Sequence, residues 1–123
     1  MSAAPRAGWV LLLQRGDEDT LYEAAAMAAS AVSLGLEVTL VWFDAALAAL
    51  VSGRLEEPDD EARNAARLLA EARESGRLRS LACSASLSRA GTTPDGVRDR
   101  VDEIVGWPTA ISLIRAAERS FVW

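Results

Sequence analysis

Short apolar runs alternate with alanine-rich stretches along this chain, and that alternation constrains the fold more than any other feature. The first run, Trp9 to Leu13, is apolar throughout, and the second, Glu37 to Phe43, is rich in β-branched and aromatic residues. Runs of this kind are typical of strands buried on both faces of a parallel sheet. Their alternation with helices implies right-handed crossovers. The sequence therefore predicts one α/β domain over residues 1–123, a three-layer α/β/α arrangement whose five-stranded sheet is mainly parallel and whose strand order stays open.

Capping and turn residues predict where the first helices begin and end. Thr20 and Glu23 form a capping-box pair at the start of a first helix, and Gly35 closes that helix in a left-handed conformation. Asp44 is expected to cap a second helix. Residues 45–51 of that helix are apolar almost all round, so we expect it to contact protein on both sides.

The remaining elements follow from the same signals. An acidic linker, residues 55–60, precedes a helix that starts at Asp59 or Asp60 and ends at Gly76. The pattern of residues 97–105 fits a helix or a strand, and we favour a brief helical turn followed by a strand. A last helix opens near Pro108 and leads to a final short strand, residues 120–123. The inward face predicted for that helix consists of Ile111, Ile114 and Ala117.

Composition excludes several classes of chemistry. The net charge is −5 and all 13 basic residues are arginine, so nucleic acid is not an expected partner. Without lysine or histidine the chain has no Schiff-base lysine, no histidine-based triad and no histidine metal site. One cysteine excludes an intrachain disulfide and any multi-cysteine metal site. We therefore expect neither a metal nor a cofactor.

No part of the sequence predicts contact with a membrane. The longest apolar run has five residues, Trp9 to Leu13, whereas a transmembrane helix needs about 20. The N-terminus shows no cleavage-site pattern of a signal peptide. The expected location is the cytoplasm.

The single cysteine, Cys83, lies at the point of the chain most suited to chemistry. It ends a third predicted strand, residues 77–83, and a short helix follows at once. The carboxyl ends of parallel strands form the usual binding edge of such a sheet, and the N–H groups that open a helix favour a thiolate. A free cysteine is also often a small buried hydrophobe, so the sequence leaves two interpretations open, with a preference for the reactive thiol.

Other side chains are expected at the same edge of the sheet. Ser84 and Ser86 follow the cysteine and suit helix capping or an anion. Arg15 and Arg89 are cationic neighbours that would stabilise a thiolate. Asp44 is interpreted first as a helix cap and second as part of the rim. Trp107 is expected at the mouth of the pocket or at an interface.

The residues around the cysteine resemble a motif of the DsrE/DsrF-like family. Cys83-Ser84-Ala85-Ser86-Leu87-Ser88-Arg89-Ala90-Gly91 is similar to that family's Cys-x-x-x-Leu-x-Arg-x-Gly stretch, and Asp44 resembles its aspartate after strand two. Residues 104–109 with the following helix and aromatic strand are similar to its C-terminal third. The resemblance implies a sulfur carrier or sulfurtransferase, in which the cysteine accepts sulfane sulfur and passes it to a partner protein. Trp107-Pro108 departs from the small residues expected there and would narrow access to the site.

Two functions remain open at the level of sequence. In the first, a persulfide forms on Cys83, taken from a donor protein and handed to an acceptor protein. In the second, the chain is a non-catalytic structural or small-ligand-binding module in which Cys83 is a core residue. Either would be a homo-oligomer, because the apolar helix 45–51 and Trp123 are hard to cover within one small domain. The resemblance implies a trimer or hexamer.

Overall fold

The computed structural model describes residues 8–56 and 60–123. The strands are β1 Trp9–Leu13, β2 Val38–Trp42, β3 Leu78–Cys83, β4 Glu103–Val105 and β5 Arg119–Val122. The helices are α1 Glu18–Ser33, α2 Asp44–Val51, α3 Asp60–Glu74, α4 Ser84–Arg89, α5 Pro94–Val97 and α6 Trp107–Ala116, with a 3₁₀ turn at Arg54–Glu56. The helical turn and strand predicted for residues 97–105 are confirmed as the end of α5 and β4.

Within the described ranges, the five strands form one sheet in the order β4-β3-β2-β1-β5. Every strand pair is parallel, which confirms the predicted α/β fold. Strands β1, β2 and β3 occupy the centre and supply most of the buried strand residues, whereas β5 at one edge is largely exposed. All five carboxyl ends lie at the same edge of the sheet, as parallel pairing requires.

Two apolar clusters lie between the sheet and the helices, one on each face of the sheet. Against one sheet face pack α1, α2 and α3 together with Leu87 of α4 and Val97 of α5. The opposite face forms a smaller cluster whose described helical members come from α6 and the residue after it. The strand residues in that smaller cluster are Val10, Leu12, Val41, Leu81, Cys83 and Val105, and Phe43, the residue directly after β2, joins them. A single ten-residue helix therefore covers the sheet face on which Cys83 lies.

The first helix starts on a different residue from the one predicted. Asp17, not Thr20, is the N-cap: its carboxylate accepts hydrogen bonds from the Thr20 backbone N–H at 3.1 Å and from the Thr20 hydroxyl at 2.8 Å. Thr20 is buried as the third residue of the helix, so the predicted capping box with Glu23 is wrong. An aspartate three positions earlier is the stronger acceptor at this helix end. The left-handed Gly35 is confirmed, with φ of 86°.

The second helix differs from its prediction in both its cap and its burial. Phe43 is the N-cap of α2, and Asp44 is its first residue, with φ of 44°. Ala46, Leu47, Ala49 and Leu50 are buried, but Ala45 and Ala48 are exposed. The expectation of protein on both sides is therefore wrong. One stripe of α2 is buried, and short alanines occupy the solvent side, where they cost little.

The inward face predicted for the last helix is confirmed for Ile114 and Ala117 and wrong for Ile111. Ile111 is 48% exposed, whereas Ala110 is buried, and Leu113, Ile114 and Ala117 pack against the sheet. The face of the helix that packs on the sheet therefore runs through Ala110, Leu113, Ile114 and Ala117, and Ile111 lies beside it. Of the predicted acidic linker, residues 55 and 56 lie in the 3₁₀ turn Arg54–Glu56, residues 57–59 lie outside the described residues, and Asp60 is the first residue of α3. None of the described helices is both long enough and apolar enough to span a bilayer.

Candidate functional site at the carboxyl edge of the sheet

Cys83 lies at the carboxyl edge of the sheet, as predicted, but its side chain is enclosed. It is the last residue of β3 and the N-cap of α4, and its side chain makes no capping hydrogen bond. The residue is 2% exposed and belongs to the apolar cluster beneath α6. The same cluster includes Val105 of β4 and Phe43, which directly follows β2. The thiol is therefore held in an apolar setting in this conformation.

An aromatic pair lies beside the cysteine. Trp107, the first residue of α6, stacks on Phe43 with ring centroids 4.9 Å apart and an interplanar angle of 28°. Phe43 is 2% exposed and Trp107 is 49% exposed. Such a pair contributes about 0.5–1.5 kcal/mol beyond the area that it buries. Trp107 is thus half-exposed while its indole stacks on a buried aromatic ring of the Cys83 cluster.

The N-terminal residues of α4 and α6 also approach each other. A Cβ built on Gly106, the N-cap of α6, would lie 3.8 Å from the Ser84 Oγ. Ser84 is exposed, so its hydroxyl is at the surface where β3 and β4 end. Ser84 is thereby close to Cys83 in sequence and to the α6 start in space.

Two of the predicted residues, Ser86 and Arg89, converge on one carboxylate oxygen of a third, Asp44. The Ser86 hydroxyl donates to Asp44 Oδ1 at 3.1 Å, and Arg89 Nη2 donates to the same oxygen. Ser86 is 2% exposed, whereas the side chains of Asp44 and Arg89 are 49% and 70% exposed. An ion pair with that much solvent contributes at most about 1 kcal/mol. The group therefore ties the start of α2 to α4 more than it supplies a strong local charge.

Asp44 adopts an unusual backbone conformation at this junction. Among the described residues it is the only non-glycine residue with positive φ, at 44°. Aspartate tolerates the left-handed region better than most residues, yet the conformation still costs of order 1 kcal/mol. The hydrogen bonds from Ser86 and Arg89 offset that cost and fix the carboxylate at the carboxyl edge of the sheet.

Arg15 is directed elsewhere. Its Nε lies 3.2 Å from Asp17 Oδ1, at the start of α1, and its side chain is 69% exposed. Hydrogen bonds from Thr20, first from its hydroxyl and then from its backbone N–H, hold the pKa of the Asp17 carboxyl below its usual value, with a smaller contribution from Arg15. Arg15 therefore belongs with the α1 cap in this conformation and not with the Asp44 group.

The loop that carries Arg15 is nevertheless close to α2. The Ala46 N–H donates to the Gln14 carbonyl at 3.1 Å, and a Cβ on Gly16 would come within 2.4 Å of the Ala45 carbonyl oxygen. Only glycine permits that approach of two backbones. The loop after β1 and the start of α2 thus form a fixed part of the same edge.

Phe43 is the residue that sequence reasoning missed. As an aromatic residue at the end of an apolar run it looks like ordinary core, and only the β2-β3 neighbourhood places it beside Cys83. No group of three or more acidic or thiol side chains among the described residues is arranged to hold a metal ion. The edge presents one buried thiol, an aromatic pair of which Phe43 shares the thiol's apolar cluster, and a polar group around Asp44.

Comparison with known proteins identifies the relatives of this arrangement. The model of the DsrE/DsrF-like family matches residues 10–122, nearly the whole chain. The chain belongs to the DsrE/DsrF-like family. This confirms the resemblance seen in the sequence, and the matched range spans the positions of Cys83, Asp44, Ser86 and Arg89. A comparison with curated proteins found no significant match to this DsrE/DsrF-like chain.

Solved structures support the DsrE/DsrF-like fold. The chain is similar to the structure of MTH1491, a protein of unknown function from Methanobacterium thermoautotrophicum, with a TM-score of 0.64 and 16% sequence identity. The likeness covers 92% of this chain and 98% of that one. At this identity the comparison shows a shared fold, which agrees with the all-parallel sheet and its helices.

Proposed function

We propose that this DsrE/DsrF-like protein is a sulfur carrier that accepts sulfane sulfur on Cys83 and passes it to a partner protein. The observation that carries the proposal is the position of Cys83 where β3 becomes α4, at the carboxyl edge of a parallel sheet. The DsrE/DsrF-like match over residues 10–122 spans that position. The chain has one cysteine, so a persulfide on it has no internal thiol with which to form a disulfide.

The proposed transfer needs only the Cys83 thiol and, on the partner protein, a persulfide or a thiol. The Cys83 thiolate attacks the outer sulfur of a donor persulfide, so a bond forms between Sγ and that sulfur while the donor's S–S bond breaks. The electron pair of the broken bond leaves on the donor, which departs as a thiolate and takes up a proton. An acceptor thiolate then repeats the exchange on the Cys83 persulfide. No net oxidation occurs, and neither histidine nor lysine is required.

One observation favours a second function. Cys83 is 2% exposed among apolar neighbours, as expected if it is simply a packed core residue. In that case the protein is a non-catalytic structural or ligand-binding member of the family. The two functions differ in a single property, namely whether the thiol reacts while the protein stays folded.

The decisive experiment is to measure sulfur uptake by the native protein. Wild type and Cys83→Ala are incubated with a cysteine desulfurase and cysteine, desalted, and compared by intact mass. A gain of one sulfur atom by wild type, reversed by reductant and absent in Cys83→Ala, supports the carrier. No gain by a wild type that remains folded supports the core-residue alternative. Alanine is the better control, since a serine hydroxyl in this apolar cluster carries its own cost.

We also propose that the protein is a cytoplasmic homo-oligomer, a trimer or hexamer. A reducing compartment keeps a lone thiol free. The exposed apolar residues of α2 are only Ala45 and Ala48, and Trp123 is partly buried beside Phe121, so neither requires a partner. The proposal is supported instead by two exposed large apolar side chains, Leu34 at 81% and Val122 at 62% exposure.

A further inference from the structure

Two residues flank Cys83 at the same level of the sheet, one on the side of each neighbouring strand. Cys83 is paired in register with Val105 of β4, and Ala82 is paired with Trp42 of β2, so Phe43 is level with Cys83 on the other side. Val105, Cys83 and Phe43 all belong to the cluster beneath α6. Since the strand order is β4-β3-β2, the thiol lies between the other two side chains.

Trp107 spans this row. It lies two residues after Val105, at the end of β4, yet its indole stacks on Phe43 at the end of β2. Those two strands are separated by β3 and therefore by about 9–10 Å, twice the spacing between neighbours. Gly106, just before Trp107, already lies near Ser84, because a Cβ built on Gly106 would be 3.8 Å from the Ser84 Oγ. The path from Val105 to Phe43 therefore passes the end of β3, where Cys83 is located.

We propose that Trp107 is a movable cover over Cys83, and that its displacement from Phe43 is the step that admits a sulfur donor. The meaning of this cover for sulfur transfer rests on the proposed function, whereas the cover itself rests on the geometry. A donor or acceptor that displaces the indole would expose the thiol only while it is docked. A persulfide formed there is shielded from other thiols between the two transfers.

The contacts of Trp107 suit displacement. It is 49% exposed, and its ring contact is with Phe43 alone among the described aromatic residues. Its indole N–H makes no hydrogen bond within the described part of the chain. It is also the first residue of α6, directly after the glycine N-cap, so it can change rotamer without moving the buried stripe of the helix. The proposed cover thus combines the enclosed Cys83 thiol with the weakly held Trp107 indole.

The chain provides a matched control. Ile111 is one turn further along α6 and is 48% exposed, almost the same fraction as Trp107. It is not a member of the cluster around Cys83. Ile111→Ala therefore removes a comparable exposed apolar side chain from the same helix without opening the proposed cover. Trp107→Phe keeps an aromatic ring to stack on Phe43.

The experiment is the rate of alkylation of the folded protein by iodoacetamide, followed by intact mass. We expect Trp107→Ala to react at least about tenfold faster than wild type, because one of the walls around the thiol is gone. Ile111→Ala is expected to remain within about twofold of wild type, and Trp107→Phe to lie between the two. Urea unfolding of every variant gives its stability under the same conditions.

Two results would overturn the cover. One is a Trp107→Ala rate equal to that of wild type. The other is an acceleration that equals the increase in the globally unfolded fraction, since unfolding alone then exposes the thiol. The sulfur carrier is tested separately by uptake. If Trp107→Ala alkylates fast while the wild type takes up no sulfur, the cover is kept and the carrier is removed. Uptake by wild type without faster alkylation of the variant does the reverse.

Discussion

Removing the Ser80 hydroxyl should destabilise the protein by orphaning a buried indole. Trp42 Nε1 donates to Ser80 Oγ at 2.8 Å, with the two residues 1% and 4% exposed. A buried donor left without a partner costs about 1–3 kcal/mol. A cleft of about 180 Å³ is lined partly by these two residues and gives water some access, so we expect Ser80→Ala to cost about 1–2 kcal/mol. For a chain of this length that lowers Tm by roughly 3–10 °C.

The assay is urea unfolding of a double-mutant cycle. Trp42→Phe removes the donor, so Ser80→Ala should cost less in that background than in wild type, with a coupling energy of about 1 kcal/mol. The backbone of Ser80 is unaffected in all variants, because Asp102 binds both its N–H and its carbonyl, each at 2.7 Å. If Ser80→Ala costs less than about 0.5 kcal/mol, or the same in both backgrounds, the hydrogen bond does not stabilise the β2-β3 pair as argued.

Three further outcomes follow from the geometry. Asp17→Ala should lower the free energy of unfolding at neutral pH. Because Thr20 holds the pKa of Asp17 below its ordinary 3.8, this loss of stability should persist above pH 3.8 and vanish as acid protonates the wild-type carboxyl. Urea titrations at several pH values measure it. Asp17→Asn, which keeps an acceptor, should lose less, and a deficit that grows in acid would contradict the assignment. Gly16→Ala should cost about 1–3 kcal/mol, since its Cβ would lie 2.4 Å from the Ala45 carbonyl oxygen, and an unchanged urea midpoint would refute that contact. Light scattering on a sizing column should give a trimer or hexamer at micromolar concentration, and a monomer would refute the proposed assembly.

Much of the fold was predictable from the sequence because its signals are local. The run from Trp9 to Leu13 and the glycines at helix ends each specify a strand or a stop without reference to the rest of the chain. Alternation then implied the parallel sheet. Where two local signals competed, the prediction failed: Asp17 and Thr20 both suit an N-cap, and only the structure shows which is used.

The candidate site was less predictable because it depends on strand order. Sequence patterns singled out four of its residues, namely Cys83, Asp44, Ser86 and Arg89, but did not predict how they are grouped. Ser86 and Arg89 meet at Asp44 only because α2 and α4 are neighbours. The enclosure of the thiol by Phe43 needs β2 beside β3, which no local pattern specifies. Burial of a cysteine at a strand end is likewise a tertiary property, set here by α6.

The most direct test of the carrier locates the transferred sulfur and follows it onwards. The folded protein is loaded with a desulfurase and cysteine, separated from the donor, digested without reductant, and its Cys83 peptide is measured by mass spectrometry. We expect one extra sulfur on that peptide, lost when the loaded protein meets an acceptor thiol and recovered on the acceptor. Absence of that sulfur from the Cys83 peptide of a folded, fully reduced protein would refute sulfur carriage, and Cys83 would then be a core residue.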